Sequence, residues 1–469
     1  DPVRLVPEGT NVWEMAVAGD ALLAVTSDRP SEGDWTNSRL ELLALDGSWR
    51  RLVHRPRRQL GWPAASPLGE RLAVVEGLAS DRGMVAGEIL LFEPPAREPR
   101  RLHLGGADAT FLQFRDRDHL IAVGVRAEET VVAEIDLRDG ALEVHYQGLS
   151  TSANRFTPEA VGHPDGGALA ALEEWDRPPA LVRLHRGAVS ELASLSDPGQ
   201  EWLRSQLGSC RAISWSAPDG LEISGLVIEP PGRARPHPTV LAVHGGPAGR
   251  WAPSWPGRQL LHYALLATRG YALFLPNPRG SCGRGQEFLE MELGDYGGAE
   301  VGDVLSGLDQ LVEEGLADQG RIGVMGASHG GYMSCWLTSR TQRFKAAVAV
   351  SPVTDWYSQH YASNIPDFDE MYLGGGPPGP GGPYFERSPV FFAKDCTTPT
   401  LLIAGKEDRC TPPGQAVEFH EALLAAGVES ELVLYPGEGH GIQALPAAAD
   451  MAARAWAWFE RWMGPAQDG

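Results

Sequence analysis

The sequence predicts two architectures in one chain. Residues 206–469 read as a mostly parallel β-sheet with helices on both faces. Residues 1–205 read as an all-β, propeller-like domain of about four to five blades. Three observations carry this. Before about residue 200, apolar residues come in short β-type runs broken by Gly, Asp, Pro and Asn. Those runs recur with a spacing of roughly 45 residues, the period of four-stranded propeller blades. From about residue 206, strands and helices alternate, the βαβ pattern of a parallel sheet.

In the first half the runs include A-L-L-A-V-T-S, R-L-E-L-L-A-L-D-G, E-R-L-A-V-V-E-G, E-I-L-L-F-E-P, H-L-I-A-V-G-V and V-V-A-E-I-D-L-R-D-G. They fall into four units beginning near Trp13, Leu60, Thr110 and Phe156. A β-sandwich would use strands of similar length; the regular period favours blades. After Leu195 comes a linker, S-D-P-G-Q-E-W-L, with helical character.

The second half opens on an antiparallel hairpin turning at Asp219-Gly220, then a strand at 239–243 running into His244-Gly245-Gly246-Pro247. A helix over 259–268, a strand over 271–275 and the loop N-P-R-G-S-C-G-R-G follow, then a long helix over 298–314. Arg321 to Arg340 reads as strand, glycine-flanked turn and helix, with Ser328 at the apex of G-A-S-H-G. A serine between a buried strand and a helix N-terminus takes a strained backbone, tolerable where Gly326 and Gly330 bring no Cβ to clash. This is the nucleophile elbow of an α/β-hydrolase. A strand at 346–351 follows, then one at 400–404 with Asp408 in the loop after it, and a helix at 414–426. A strand at 431–434 leads to His440 in Y-P-G-E-G-H-G, and a helix over 447–462 ends the chain.

A serine hydroxyl needs a base to take its proton and an acid to orient that base. Asp408 and His440 follow Ser328 in the order expected on this fold, each at the C-terminal end of a strand, where open α/β sheets build their sites. Two N–H donors must also face the developing oxyanion. Those of His329, which follows the nucleophile, and of Gly246, in the glycine loop, are the candidates.

At 469 residues the chain exceeds one ordinary domain, and 43% hydrophobic with 22% charged residues is a globular composition. A formal charge of −21 argues against nucleic acid or an anionic membrane as partner. There are no long apolar spans and no recognisable leader. The first residue is Asp rather than Met, which is compatible with removal of an upstream segment. Cys210, Cys282, Cys335, Cys396 and Cys410 form no C-x-x-C pair and are odd in number, which fits free thiols in a reducing, cytoplasmic setting. No metal-ligand spacing is recognisable, and the expectation is no metal and no cofactor.

Taken together, G-A-S-H-G-G-Y-M-S, H-G-G-P, N-P-R-G-S and Y-P-G-E-G-H-G resemble the prolyl oligopeptidase family of serine peptidases, with most similarity to its acylaminoacyl-peptidase branch. The motifs lie in the right order across 206–469. The resemblance implies a hydrolase of short peptides or N-acylated peptides, with Ser328 as nucleophile, His440 as base, Asp408 as orienting acid, and Gly246 and His329 as oxyanion donors. It also implies a propeller that caps the site and filters substrates by size. Family propellers have seven or eight blades, more than about 200 residues accommodate. The chain is therefore either a piece of a longer protein or a reduced propeller with a wider cap.

Other residues carry two readings each. Arg279 could bind substrate or brace its loop in a salt bridge. Trp356 and Tyr357 could wall a substrate pocket or simply pack. Asp355 is a rival acid, placed before the strand that carries Asp408. Glu173-Glu174 could grip a free α-amino group or be a solvated strand edge, a pair as readily arising as Glu128-Glu129. The loop from Gly374 to Pro383 could flank the entrance as a mobile segment. An esterase or acyl-transfer enzyme, a catalytically dead propeller binding protein, and a homo-oligomer all remain open.

Overall fold

The computed structural model describes residues 4–464, apart from 30, 95–97, 153, 258–260 and 378. Its first half holds four antiparallel sheets in chain order, over residues 11–54, 59–102, 108–148 and 151–194. The first three have four strands each, in sequential order. The fourth adds a short strand, Val161–Gly162, beside Ala168–Glu174.

The second and third sheets are each buried on both faces by their neighbours, which is why their central strands are continuously apolar. Along Leu72–Gly77, Leu72 and Val74 face a core shared with Leu23, Leu40 and Leu42 of the first sheet. Ala73 and Val75 face the opposite way, toward Leu112, Leu120 and Ala122 of the third. Val123 and Val132 then meet Ala170, Leu172 and Val182 of the fourth. The period-2 alternation of a strand thus serves two cores at once, each buried Leu or Val contributing about 1.5–3 kcal/mol. Serial packing of this kind makes blades, not a two-sheet sandwich. A helix, Pro198–Gln206, capped by Asp197 through the Gln200 N–H at 2.8 Å, follows the fourth sheet.

The second half is one eight-stranded sheet. Its strands in chain order are β1 (Ser209–Ser216), β2 (Glu222–Glu229), β3 (His237–Val243), β4 (Ala272–Asn277), β5 (Ala317–Ala327), β6 (Ala346–Val350), β7 (Thr400–Gly405) and β8 (Ser430–Tyr435). The spatial order is β1-β2-β4-β3-β5-β6-β7-β8; β2 is antiparallel to β1 and β4, and the other pairs are parallel. The main helices are α1 (Leu261–Thr268), α2 (Ala299–Glu313), α3 (His329–Thr338), α4 (Gly414–Ala425) and α5 (Ala447–Met463). Tyr263 and Ala267 of α1 and Phe459 of α5 cover the face bearing Val240, Leu273 and Val348. Val304 and Leu308 of α2 and Tyr332 and Met333 of α3 cover the other, bearing Leu241, Phe274 and Val324. The expected start of α1 at Gln259 lies outside the described residues. No helix among them is long and apolar enough to cross a membrane.

The blades sit on the rim of this sheet through specific polar contacts. Asp108 Oδ2 accepts the N–H groups of Gly283 and Gly285 at 2.8 and 3.0 Å. Buried Glu128 accepts from the Ser224 hydroxyl at 2.7 Å and the Asn277 amide at 3.0 Å. Arg250, fully buried, donates to the carbonyls of Ala127 and Arg155. The Glu128-Glu129 pair is thus no chance acidic run: its first member joins the two halves.

Candidate active site

Strand β5 ends at Ala327 and α3 begins at His329, so Ser328 takes the whole change of direction, with φ +60° and ψ −119°. That conformation is strained for a residue with a Cβ. It is held by the Ser328 N–H bond to the Val350 carbonyl at 2.9 Å. The glycines around it serve close approach. A Cβ on Gly330 would lie 2.1 Å from the Val243 carbonyl oxygen, and one on Gly326 2.5 Å from the Gly330 backbone.

The structure brings Ser328, His440 and Asp408 into one line. Ser328 Oγ lies 2.9 Å from His440 Nε2, and His440 Nδ1 lies 2.9 Å from Asp408 Oδ2. The other carboxylate oxygen, Oδ1, accepts from the backbone N–H groups of Cys410 and Thr411, each at 2.9 Å. Burial would lift Asp408, but the His440 hydrogen bond and the Thr411 N–H outweigh it and hold the carboxyl below its usual 3.8. Burial likewise opposes a charged His440, yet hydrogen bonds to Asp408 and the Cys410 side chain raise it well above 6.5. The ring is 32% exposed, with both nitrogens engaged. Chemically, this is a hydroxyl with a direct proton route to a base whose acid partner is buried and ionised.

Beside the serine runs the loop after β3. A Cβ on Gly245 would lie 3.6 Å from Ser328 Cβ, which places this backbone against Ser328. Gly246 has φ +105° and lies 3.1 Å, measured from where a Cβ would be, from the Ser80 hydroxyl of the second sheet. His244 braces the loop, with Nε2 2.9 Å from Ser281 Oγ and Nδ1 3.0 Å from the Gly245 carbonyl. Burial drives its pKa down to about 3, so it stays neutral. The His329 N–H lies in the first turn of α3, where helix geometry supplies no backbone acceptor.

One feature of the site carries no sequence signature. The His329 ring enters a fully buried polar nest. Its Nδ1 is 2.6 Å from the Tyr296 hydroxyl, and its Nε2 lies 3.2 Å from Glu300 Oε2 and 3.8 Å from Glu292 Oε1. Glu300 also accepts the Gly297 N–H at 2.6 Å. Burial lifts Glu292 well above 4.5, and Glu300 lifts it further. Burial acts on Glu300 too, but His329 overcomes it and keeps Glu300 below 4.5. The pair therefore carries its proton on Glu292 and its charge on Glu300. These residues are eight apart with no motif between them, and only folding shows that they share a site.

Two expected substrate contacts are spent on the protein itself. Arg279 clasps buried Asp303 (Nε to Oδ2 at 2.9 Å, NH2 to Oδ1 at 2.7 Å) and reaches Asp219 at 2.9 Å, so its guanidinium braces the loop. Trp356 is fully buried, edge-on to Tyr296 at 5.1 Å, and donates to the Arg387 carbonyl. It packs behind the site. Tyr357 does line an apolar cleft of about 460 Å³, with Tyr361, Phe385 and Phe391. Its hydroxyl is 2.7 Å from the Gly379 carbonyl, which ties down the Gly/Pro loop whose Pro378 lies outside the described residues. Asp355 caps a short helix through the Tyr357 N–H. Glu174 is paired with Arg177 at 2.7 Å.

Residues 259–466 match the model of the prolyl oligopeptidase family. The uncharacterized peptidase YuxL of Bacillus subtilis is 28% identical over 345 residues, 72% of this chain and 51% of that protein. The acylamino-acid-releasing enzyme of Rattus norvegicus is 31% identical over 261 residues, 52% of this chain and 34% of that one. The chain thus matches about a third to a half of the length of these curated relatives. Among solved structures, the acylaminoacyl peptidase of Pyrococcus horikoshii superposes with a TM-score of 0.80 at 21% identity, covering 99% of this chain and 72% of that one. At that identity the likeness establishes the fold.

Proposed function

Residues 259–466 belong to the prolyl oligopeptidase family, and from that premise we propose that the chain is a serine peptidase acting on short peptides or N-acylated peptides. The observation that carries this is the unbroken line from Asp408 through His440 to Ser328, 2.9 Å at each step. In the proposed mechanism Ser328 Oγ attacks the scissile carbonyl carbon as His440 Nε2 takes its proton. Asp408 holds the tautomer that presents Nε2 to the serine and stabilises the imidazolium. The N–H groups of Gly246 and His329 receive the oxyanion. His440 then protonates the leaving amine, and water, deprotonated by the same ring, releases the acyl group from Ser328.

Two features support this substrate class. The apolar cleft beside Tyr357 suits an apolar side chain or acyl group, and the blades that seat on the loops around the serine favour small substrates over folded proteins. We place the boundary between blades and hydrolase at 205/206, and a reducing, cytoplasmic setting accords with five free cysteines. The deciding experiment is product identification by mass spectrometry after incubation with a mixed library of free and N-acetylated peptides. Release of N-acetylated amino acids or short fragments is the expected result. Turnover of p-nitrophenyl esters with every peptide left intact would replace the peptidase reading with an esterase one.

A further inference from the structure

Away from the nucleophile, the edge strand of the third sheet (Leu142–Gly148) meets the tip of a hairpin from the fourth (Arg177–His185 into Ala188–Ser194). The tip turns at Arg186 and Gly187, with φ +48° and +79°. It is pinned to the edge strand by the Gly187 N–H to the His145 carbonyl at 3.0 Å. His145 is the extra residue of a β-bulge between Val144 and Tyr146, its ring lies beside Glu143, and His185 closes on them from the hairpin.

One donor atom from each of Glu143, His145 and His185 lies within 4.8 Å of the other two. The two imidazoles are nearly parallel, with centroids 5.8 Å apart. Glu143 Oε1 stands 3.6 Å from His145 Nδ1, too far for a hydrogen bond. It is close to the edge of a zinc tetrahedron, about 3.4 Å when each ligand atom is about 2.1 Å from the metal. His145 Nδ1, the nitrogen facing Glu143, accepts the Arg186 N–H at a long 3.3 Å, a bond the metal would replace. His145 Nε2 and His185 Nδ1 are shut off from solvent without a hydrogen-bond partner, and buried ring nitrogens left short of partners beside a carboxylate mark a place for a further atom.

We propose that Glu143, His145 and His185 form a binding site for a divalent transition-metal ion of the zinc type, clipping the hairpin tip of the fourth sheet to the edge of the third. Two imidazoles and one carboxylate suit zinc, nickel or copper; magnesium and calcium take oxygen ligands. Glu143 Oε2 is already oriented by Arg186, with Nε and NH2 each 3.1 Å away, which leaves Oε1 free for the metal. The metal would cross-link two blades far from Ser328 in sequence, so the site is independent of the hydrolytic reading. Spacing could not reveal it, because 40 positions separate His145 from His185.

The test uses the full, untagged chain stripped with EDTA. Zinc bound at equilibrium is measured by dialysis and elemental analysis, together with Tm, against a magnesium control. The expected result is one zinc per chain, a Tm raised by zinc and unmoved by magnesium, and loss of both effects in His185→Gln and in His145→Gln. Glu143→Gln should weaken uptake by about tenfold or more. His185 lies at a hairpin tip and is only partly buried, so H185Q keeps the test valid if H145Q misfolds, with circular dichroism of the metal-free chain as the check. Absence of stoichiometric zinc, or zinc retained in H185Q, would overturn the proposal.

Discussion

The buried pair behind the nucleophile yields a sharp prediction, because one chemical change should have opposite consequences at two neighbouring residues. Glu292 carries the proton and Glu300 the charge that faces His329. Glu292→Gln replaces a neutral carboxyl by a neutral amide of the same shape, able to donate to Glu300; its cost should stay within about 1 kcal/mol. Glu300→Gln instead exchanges the charged acceptor of His329 Nε2, 3.2 Å away, and of the Gly297 N–H for a neutral amide in a fully buried site. Losing a buried hydrogen bond to a charged group costs roughly 1.5–3 kcal/mol. At about 2 °C per kcal/mol for a unit the size of the hydrolase half, Tm should fall by roughly 3–6 °C in E300Q and by less than about 2 °C in E292Q.

The same pair supplies a catalytic and a pH readout. His329 follows Ser328, so loosening its ring disturbs the adjoining N–H. A displaced oxyanion donor costs about 10²-fold or more in kcat, with KM little changed. Kinetics with a peptide anilide at a temperature where both variants are folded should show that drop in E300Q and not in E292Q. As for pH, Glu292 is raised in the folded state, so its contribution is present below 4.5 and is lost as pH climbs toward its folded value. Glu300 is lowered, so its contribution is present above 4.5 and lost as pH falls through its folded value. E292Q should therefore flatten the decline in stability on the alkaline side. Equal losses in the two variants, or the larger loss in E292Q, would refute this placement of the proton.

Ser328→Ala should lower kcat by about 10³-fold or more and abolish labelling by a fluorophosphonate probe, with substrate binding intact by calorimetry. Asp408→Asn should lower kcat by about 10⁴-fold. In the native chain the acid limb of the kcat/KM profile should have its midpoint above pH 6.5, because Asp408 and Cys410 raise His440. That limb should shift to lower pH in D408N, because one of the groups that raises His440 is gone. Arg279→Ala should cost about 3 kcal/mol of stability by stranding buried Asp303, and KM should not move. A large rise in KM measured at full folding would return Arg279 to substrate binding.

By itself the sequence determined the architecture and the order of the chemistry. The recurrence of apolar runs at roughly 45 residues predicted blades, of which the structure holds four, because a strand buried on both faces has to be apolar along its length. The turn around Ser328 was legible because strand, glycine and helix are local features, and Asp408 and His440 because each follows a strand whose end is the rim of the sheet. Only the tertiary structure decided what each polar side chain is used for. Arg279 and Trp356 sit in motifs beside the site, yet Asp303 claims the first and Tyr296 covers the second. The Glu292–Glu300–His329 nest and the Glu143–His145–His185 cluster bring together residues from different elements, and no spacing rule connects them. Local periodicity encodes where the backbone goes. The pairing of buried charges depends on which surfaces meet after it has gone there.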